Sequence, residues 1–403
     1  MAAELEKDGG VDMVERSTLR DTEDQTDFHK TSEGKGFNDE AVKVLDNYTG
    51  DQSWTDEEEK RLMPLLCITY GLQYYDKAML SQAALFGLRD DLDLGIGNRY
   101  SFTSSIFYLG FIIGAYPAMV LAQKFPIERV ASAIVTLWGI CLLLTIACTG
   151  YRGIYAQRFF LGLLESGVSP LFMLIVGSWY KKNEQAFRMG IWYSIVGYIS
   201  IISPLINFGL GHAHGSLSPW RYMYIFAGCL TTLWGILLLF VLPPDPVRAK
   251  GFDQRERYIL VARLRVNNSG VRNTSFKSSQ VKELLADVRF WLLFWAGMLC
   301  MIGNGAVSTF IPIIIHGFGF NTLISLLLVT PLGAYSGTLM LVASYLAYKI
   351  PHSRKYIMFI CQMGTLIGAA LLWKLPLGDT GGLLFASIIL TSLTATYGLI
   401  MGL

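Results

Sequence analysis

The chain has 403 residues, 52% of them apolar and only 16% charged, against roughly 25% charged residues in soluble domains. Long apolar runs recur along it, which excludes a soluble globular protein and defines an all-α polytopic membrane protein. Phosphate-loop, GxSxG and HExxH motifs are absent, and the five histidines and six cysteines show no metal-ligand or CxxC spacing, so neither an enzyme nor a cofactor or metal is expected.

Residues 1–60 hold 18 of the 31 acidic residues against seven Lys and Arg, which predicts a disordered acidic tail. The tail lacks the basic start and apolar core of a cleaved signal peptide. Ten apolar runs follow, at 62–86, 100–122, 131–150, 154–180, 190–211, 222–242, 289–315, 322–348, 356–375 and 382–403, each near the about 20 residues that cross a ~30 Å hydrocarbon core. They group into a six-helix bundle over 61–242, a cytoplasmic linker over 243–288 and a four-helix, incomplete bundle over 289–403. The linker opens on Pro243, Pro244 and Pro246, which stop the sixth helix. Its stretch "QRERYILVARLR" places Tyr258, Val261 and Leu264 at helical spacing, as in a short surface helix or a solvated linker. All six cysteines fall inside apolar runs and read as small buried hydrophobes.

With the tail on the cytoplasmic side, the loops after helices 2, 4, 6 and 8 carry 18 Lys and Arg and the opposite loops five. That bias predicts a multi-pass protein with a cytoplasmic N-terminus. The sequons at Asn47, Asn267 and Asn273 then face the cytoplasm and stay unglycosylated.

Two turns repeat. "LAQKFPIER" (121–129) and "LAYKIPHSR" (346–354) share Leu-Ala-x-Lys-apolar-Pro-x-x-Arg, each after the second helix of a six-helix block. A duplication of this kind is the mark of a transporter built of two like halves. The basic residues of the two turns are Lys124 and Arg129, and Lys349 and Arg354. A second half matching the first would run to about residue 470, so helices 11 and 12 of twelve are expected to be absent from a chain ending at Leu403.

Four ionisable side chains lie at membrane depth, Cys and Tyr aside: Asp76, Lys77, Arg158 and Glu165. A charge there costs about 2.5–3.5 kcal/mol, so each needs a partner or a wet cavity. Asp76 and Lys77 diverge by about 100° on their helix, whereas Arg158 and Glu165 share one face about 10 Å apart. Pairing Asp76 with Arg158, and Lys77 with Glu165 or a bound anion, satisfies all four. A purely structural cluster, or Arg158 reaching to the membrane surface, is the plainer alternative. A carboxylate out of water favours its neutral form unless a cation compensates, which makes Asp76 and Glu165 the candidate proton-coupling residues. With Glu165 protonated the cluster sums to +1 and calls for an anion. Asn304, Ser308, Thr309, Thr391, Ser392, Thr394 and Tyr397 offer neutral hydrogen bonds from the second half, Asn304 first among them as a ligand. The patterns "GFIIG", "GAYSG" and "GTLIG" fit close helix packing, and Pro170, Pro204, Pro312 and Pro331 mark kinks.

The stretches "CITYGLQYYDKAMLSQAALFGLRDDLDL", "RFFLGLLESGVSPLFMLIVGSWYKKNEQAFRMGIWYS", "LPPDPVRAKGFDQRERYILVARLR" and "FKSSQVKELLADVRFWLL" resemble the major facilitator superfamily, its anion:cation symporter group, and most closely the fungal allantoate permease family. The resemblance implies a fold of two six-helix halves, about ten of twelve helices being present, with alternating access and proton-driven uptake of small carboxylates. By position it implies that Asp76 and Lys77 match the helix 1 acid and base, Arg158 and Glu165 the helix 4 pair, and Tyr74 a substrate-cavity tyrosine. The resemblance also makes Lys124, Arg129, Lys349 and Arg354 gating-loop residues, although the superfamily's loop signature is degenerate in both turns, since no Asp precedes Lys124 or Lys349. The expected function is symport of a small organic anion (allantoate- or ureidosuccinate-like, or a vitamin, thiol amino acid or dipeptide) with protons. The partners are that anion, protons and the bilayer of a plasma membrane, with no nucleic acid, and the chain is expected to be a monomer. The alternative is a non-transporting nutrient receptor or an inactive truncated form.

Overall fold

The computed structural model describes residues 62–180, 182–212, 215–243, 278–317, 319–350, 353–376 and 380–396, over most of 300–314 as backbone only. The acidic tail, the "QRERYILVARLR" stretch, the three sequons and Tyr397 lie outside the described residues.

Among the described residues the regular structure is helical. In chain order it comprises α1 (Leu62–Ala83), α2 (Leu88–Asp91), α3 (Arg99–Lys124), α4 (Ile127–Leu143), α5 (Tyr151–Glu165), α6 (Val168–Trp179), α7 (Lys182–Gly211), α8 (Pro219–Val241), α9 (Ser278–Ala286), α10 (Val288–Gly317), α11 (Thr322–Leu327), α12 (Val329–Lys349), α13 (Arg354–Lys374) and α14 (Thr380–Leu390). Among the described residues each predicted apolar run is largely helical. Six segments among the described residues are long and apolar enough to cross a membrane unaided: Arg99–Lys124, Ile127–Ala147, Tyr151–Trp179, Phe187–Gly211, Pro219–Val241 and Arg354–Lys374. Helix α1 has the length, 22 residues, but Gln73, Asp76, Lys77 and Gln82 lower its hydropathy. Outward faces are apolar, Phe240 and Trp373 being 80% and 90% exposed, as a lipid-facing surface demands.

Two prolines interrupt their spans. A proline has no N–H for the residue four back and its ring crowds that residue's carbonyl. Accordingly α5 ends at Glu165 and α6 begins at Val168, ahead of Pro170, and α11 ends at Leu327 with α12 starting at Val329, ahead of Pro331. Pro204 and Pro312 lie inside unbroken helices.

Small residues set the closest approaches. Helix α3 crosses α5 where Gly110 abuts the Phe159 carbonyl and Gly162 abuts the Phe107 carbonyl, so that a Cβ at either would collide with backbone. Helix α7 crosses α12 with Gly197 against Gly333 and Gly337 of "GAYSG". This second crossing ties the first six spans to the rest. Helix α8 lies along α4, where the Ser132 hydroxyl donates to the Gly235 carbonyl at 2.6 Å. Outside the spans, Asp91 Oδ2 of α2 accepts from Ser218 Oγ at 2.6 Å and Trp220 Nε1 at 2.8 Å, fastening the loop after α1 to the start of α8. Those two bonds hold the Asp91 carboxyl below the usual carboxylate range. Of the five described cysteines, all unpaired, Cys141, Cys148 and Cys361 are buried as expected, whereas Cys229 faces outward from α8. Lipid outside an apolar helix accepts a small thiol as readily as the protein core does.

Candidate functional site

The four membrane-depth charges converge where α1, α5 and α8 meet. Lys77 Nζ lies 3.1 Å from Glu165 Oε1, and the lysine side chain keeps 34% of its surface exposed while Glu165 keeps none. The ammonium also stands 5.9 Å from the Phe107 ring centre and 5.4 Å from that of Phe111, both on α3, within cation–π range.

The expected pairing of Asp76 with Arg158 does not form. Asp76, fully buried, accepts a long hydrogen bond of 3.3 Å from Thr231 Oγ1, and Arg158 Nη2 donates to the Tyr224 hydroxyl at 2.8 Å. Among the described residues the ion pair at membrane depth is Lys77–Glu165. Helix geometry explains the asymmetry. Asp76 and Lys77 are about 1.5 Å apart along their axis, whereas Arg158 and Glu165 are about 10 Å apart along theirs. Once Lys77 has met Glu165, Asp76 is at the wrong level for Arg158. Nor does Arg158 reach the membrane surface, since the residue is only 3% exposed, inside the bundle.

Helix α8 supplies the missing partners, and the sequence reading overlooked them. Tyr224 and Thr231 are seven residues apart, the same interval as Arg158 and Glu165, so both pairs form stripes along facing helices. That shared interval of polar residues in apolar runs was the available signal. A second overlooked network joins α1 to α7: the Tyr75 hydroxyl donates to Asn207 Oδ1 at 2.7 Å, Asn207 Nδ2 donates to Gln82 Oε1, and Gln82 Nε2 donates to Ser203 Oγ at 2.9 Å.

Beside this cluster is a cavity of about 720 Å³, lined from the first six spans by Tyr74, Lys77, Gln82, Phe107 and Arg158 among others, and from the later helices by Ser336, Thr391 and Thr394 among others. Its volume is within the roughly 300–1,000 Å³ of small-molecule sites. The two bases line it; Asp76 and Glu165 stand behind them without exposed surface. Tyr74 is on the cavity wall. Asn304 falls within α10, and its side chain, with those of Ser308 and Thr309, is outside the described set. Ser392 meets the Tyr335 hydroxyl at 3.0 Å and so braces the turn after α14 against α12.

The repeated turns lie away from the cavity. Lys124 and Arg129 are exposed at the α3–α4 turn, and Lys349 rests over the Tyr345 ring at 5.9 Å. Arg354 begins α13.

A bundle of apolar helices around a small-molecule cavity with buried charges is the architecture of a membrane transporter. The chain matches the Major Facilitator Superfamily over residues 66–403 and belongs to it. An uncharacterized transporter of Schizosaccharomyces pombe is 34% identical over 376 residues, covering 92% of this chain and 69% of the relative. The allantoate permease of Saccharomyces cerevisiae is 33% identical over 310 residues, 73% of this chain and 57% of the permease. The chain thus spans about two thirds or less of the length of these relatives. Among solved structures, the proton:xylose symporter XylE bound to 6-bromo-6-deoxy-D-glucose superposes with a TM-score of 0.64 at 13% identity, covering 87% of this chain and 82% of that one. That likeness establishes the fold alone. The chain is therefore a multi-pass membrane protein of a transporter family with small-molecule substrates, and not an enzyme.

Proposed function

We propose that the protein is a secondary active transporter that carries a small organic anion together with protons by alternating access. The observation that supports this reading is the layering of charge: bases on the cavity wall, acids buried behind them. Lys77 has one carboxylate partner, Glu165, and one open side. An anion arriving from the cavity competes with Glu165 for the same ammonium. A proton on Glu165 removes that competition, and the anion then becomes the counter-ion. Leaving Glu165 buried as an unpaired carboxylate is costly, so binding of anion and of proton favour each other. Release of either on the far side restores the ion pair and ejects its companion.

In this reading Glu165 carries the coupled proton, with Asp76 the second acid of the cluster, and Lys77 and Arg158 hold the anion. Tyr74 and the hydroxyls of Thr391 and Thr394 orient the rest of the molecule, and Asn304 is assigned to the same wall from its place on α10. The turns bearing Lys124, Arg129, Lys349 and Arg354 act as gating loops. The similarity to allantoate permease favours a small carboxylate as cargo, and the loop charge bias favours a cytoplasmic N-terminus; in this reading the membrane is the plasma membrane.

The test is uptake into proteoliposomes. Radiolabelled small carboxylates, allantoate and N-carbamoyl-aspartate first, are offered with the interior alkaline. Accumulation that collapses when a protonophore is added supports the proposal. Binding without gradient-driven flux overturns it in favour of a receptor.

A further inference from the structure

Among the described residues the cavity wall carries positive charge and no negative charge. Among the described lining residues Lys77 and Arg158 are charged and none is Asp or Glu. Asp76 and Glu165 are sealed behind that wall, one held by Thr231 and the other by Lys77. From Val288 to Leu403 the sequence contains a single acid, Asp379, between α13 and α14. Among the described residues, then, no carboxylate lines the cavity to receive an ammonium group.

Aromatic faces are the other seat for an ammonium, and here they are occupied. Phe107 and Phe111 receive Lys77 Nζ at 5.9 and 5.4 Å. Tyr70, Tyr74 and Tyr108 line the same cavity as this lysine, so a second cation at those rings meets like charge. What the wall offers in quantity is neutral hydrogen bonding. The Gln82 amide and Ser203 hydroxyl lie on one side, and Ser336, Thr391 and Thr394 on the other.

We propose that the cavity selects anions whose remaining groups are uncharged and refuses those that carry a free ammonium, so that a hydroxy- or amido-carboxylate enters and an amino acid of the same size does not. This rests on the reading of the cavity as an organic-anion site and narrows it. Zwitterions lose their water and gain a counter-ion at one end only, and an ammonium stripped of water without a partner is heavily penalised.

The test uses the full chain in proteoliposomes and, as competitors, three versions of whichever carboxylate is taken up: the parent acid, its α-hydroxy form and its α-amino form. For succinate these are succinate, L-malate and L-aspartate; for propionate they are propionate, lactate and alanine. The hydroxy form controls for size. The inference expects it to compete within about threefold of the parent while the amino form needs about a hundredfold more. A carboxylate placed on the wall by Ser336→Asp should narrow the gap between amino and hydroxy forms. Equal potency of amino and hydroxy forms overturns the inference and leaves the transport reading intact. Uptake of no carboxylate removes both.

Discussion

Lys77 of α1 and Glu165 of α5 are joined by an ion pair of 3.1 Å, with the acid fully buried and the base open to the cavity. The pair is therefore asymmetric: a ligand reaches the lysine without touching the glutamate. Changing the glutamate should uncouple transport, and changing the lysine should weaken binding.

Glu165→Gln removes the titrating partner and leaves Lys77 open to the anion at every pH. Exchange of labelled for unlabelled substrate across the membrane should persist, while accumulation driven by a proton gradient should vanish. In the unaltered protein uptake should rise as external pH falls, because protonation of Glu165 frees Lys77, and that dependence should flatten in the variant. Gradient-driven accumulation by Glu165→Gln would remove this residue from the coupling role.

Lys77→Gln should raise the KM for the anion by about tenfold or more, a charge-assisted hydrogen bond being worth about 1.5–3 kcal/mol and each 1.4 kcal/mol a factor of ten. It also strands Glu165 without a cation. The double variant Lys77→Gln/Glu165→Gln should accordingly melt at a higher temperature than Lys77→Gln alone, measured in detergent. The reverse order would show that the pair contributes little to folding.

The hydroxyl of Tyr224 holds the Arg158 guanidinium at 2.8 Å in the described structure, and Thr231 holds Asp76. Tyr224→Phe removes one oxygen at a fully buried position. It should raise KM about tenfold with little change in maximal rate, since the guanidinium loses its fixed orientation. Combined with Arg158→Lys, the second change should add little, because both act on one contact. Independent, additive effects in that double-mutant cycle would place Tyr224 outside anion binding.

Helix packing makes a prediction free of any functional assumption. Gly162→Ala drives a methyl group into the Phe107 carbonyl at the α3–α5 crossing, whereas a methyl group at Gly177 meets nothing within 4 Å. Overpacking of this kind costs about 1–3 kcal/mol. Gly162→Ala should lower the yield of monodisperse protein and Gly177→Ala should not, as size-exclusion chromatography would record.

Asp91, outside the spans, supplies a pH-dependent tie. Its carboxyl is held below the ordinary range by Ser218 and Trp220, so its stabilising contribution is complete above the unfolded carboxylate value and is lost as pH falls through the lower folded one. Asp91→Asn should lower the thermal midpoint at neutral pH by about 2 °C and leave it unchanged in strong acid. A variant whose midpoint at neutral pH equals that of the unaltered protein would dismiss the tie.

What the sequence determined by itself was anything written as a run or an interval. A membrane span must satisfy its own backbone and present apolar side chains over a fixed length, so ten apolar runs specify helices with no tertiary information. Buried charge is so costly in lipid that Asp76, Lys77, Arg158 and Glu165 stood out as a set, and the glycine patterns announced close crossings such as α7 on α12. The tertiary structure decided which of those charges meet. Pairing depends on the relative heights of α1 and α5 and on what α8 inserts between them, and no periodicity within one helix encodes the level of another. Hence Lys77 found Glu165, Asp76 and Arg158 turned instead to Thr231 and Tyr224, and the cavity acquired a wall of bases with its acids behind it.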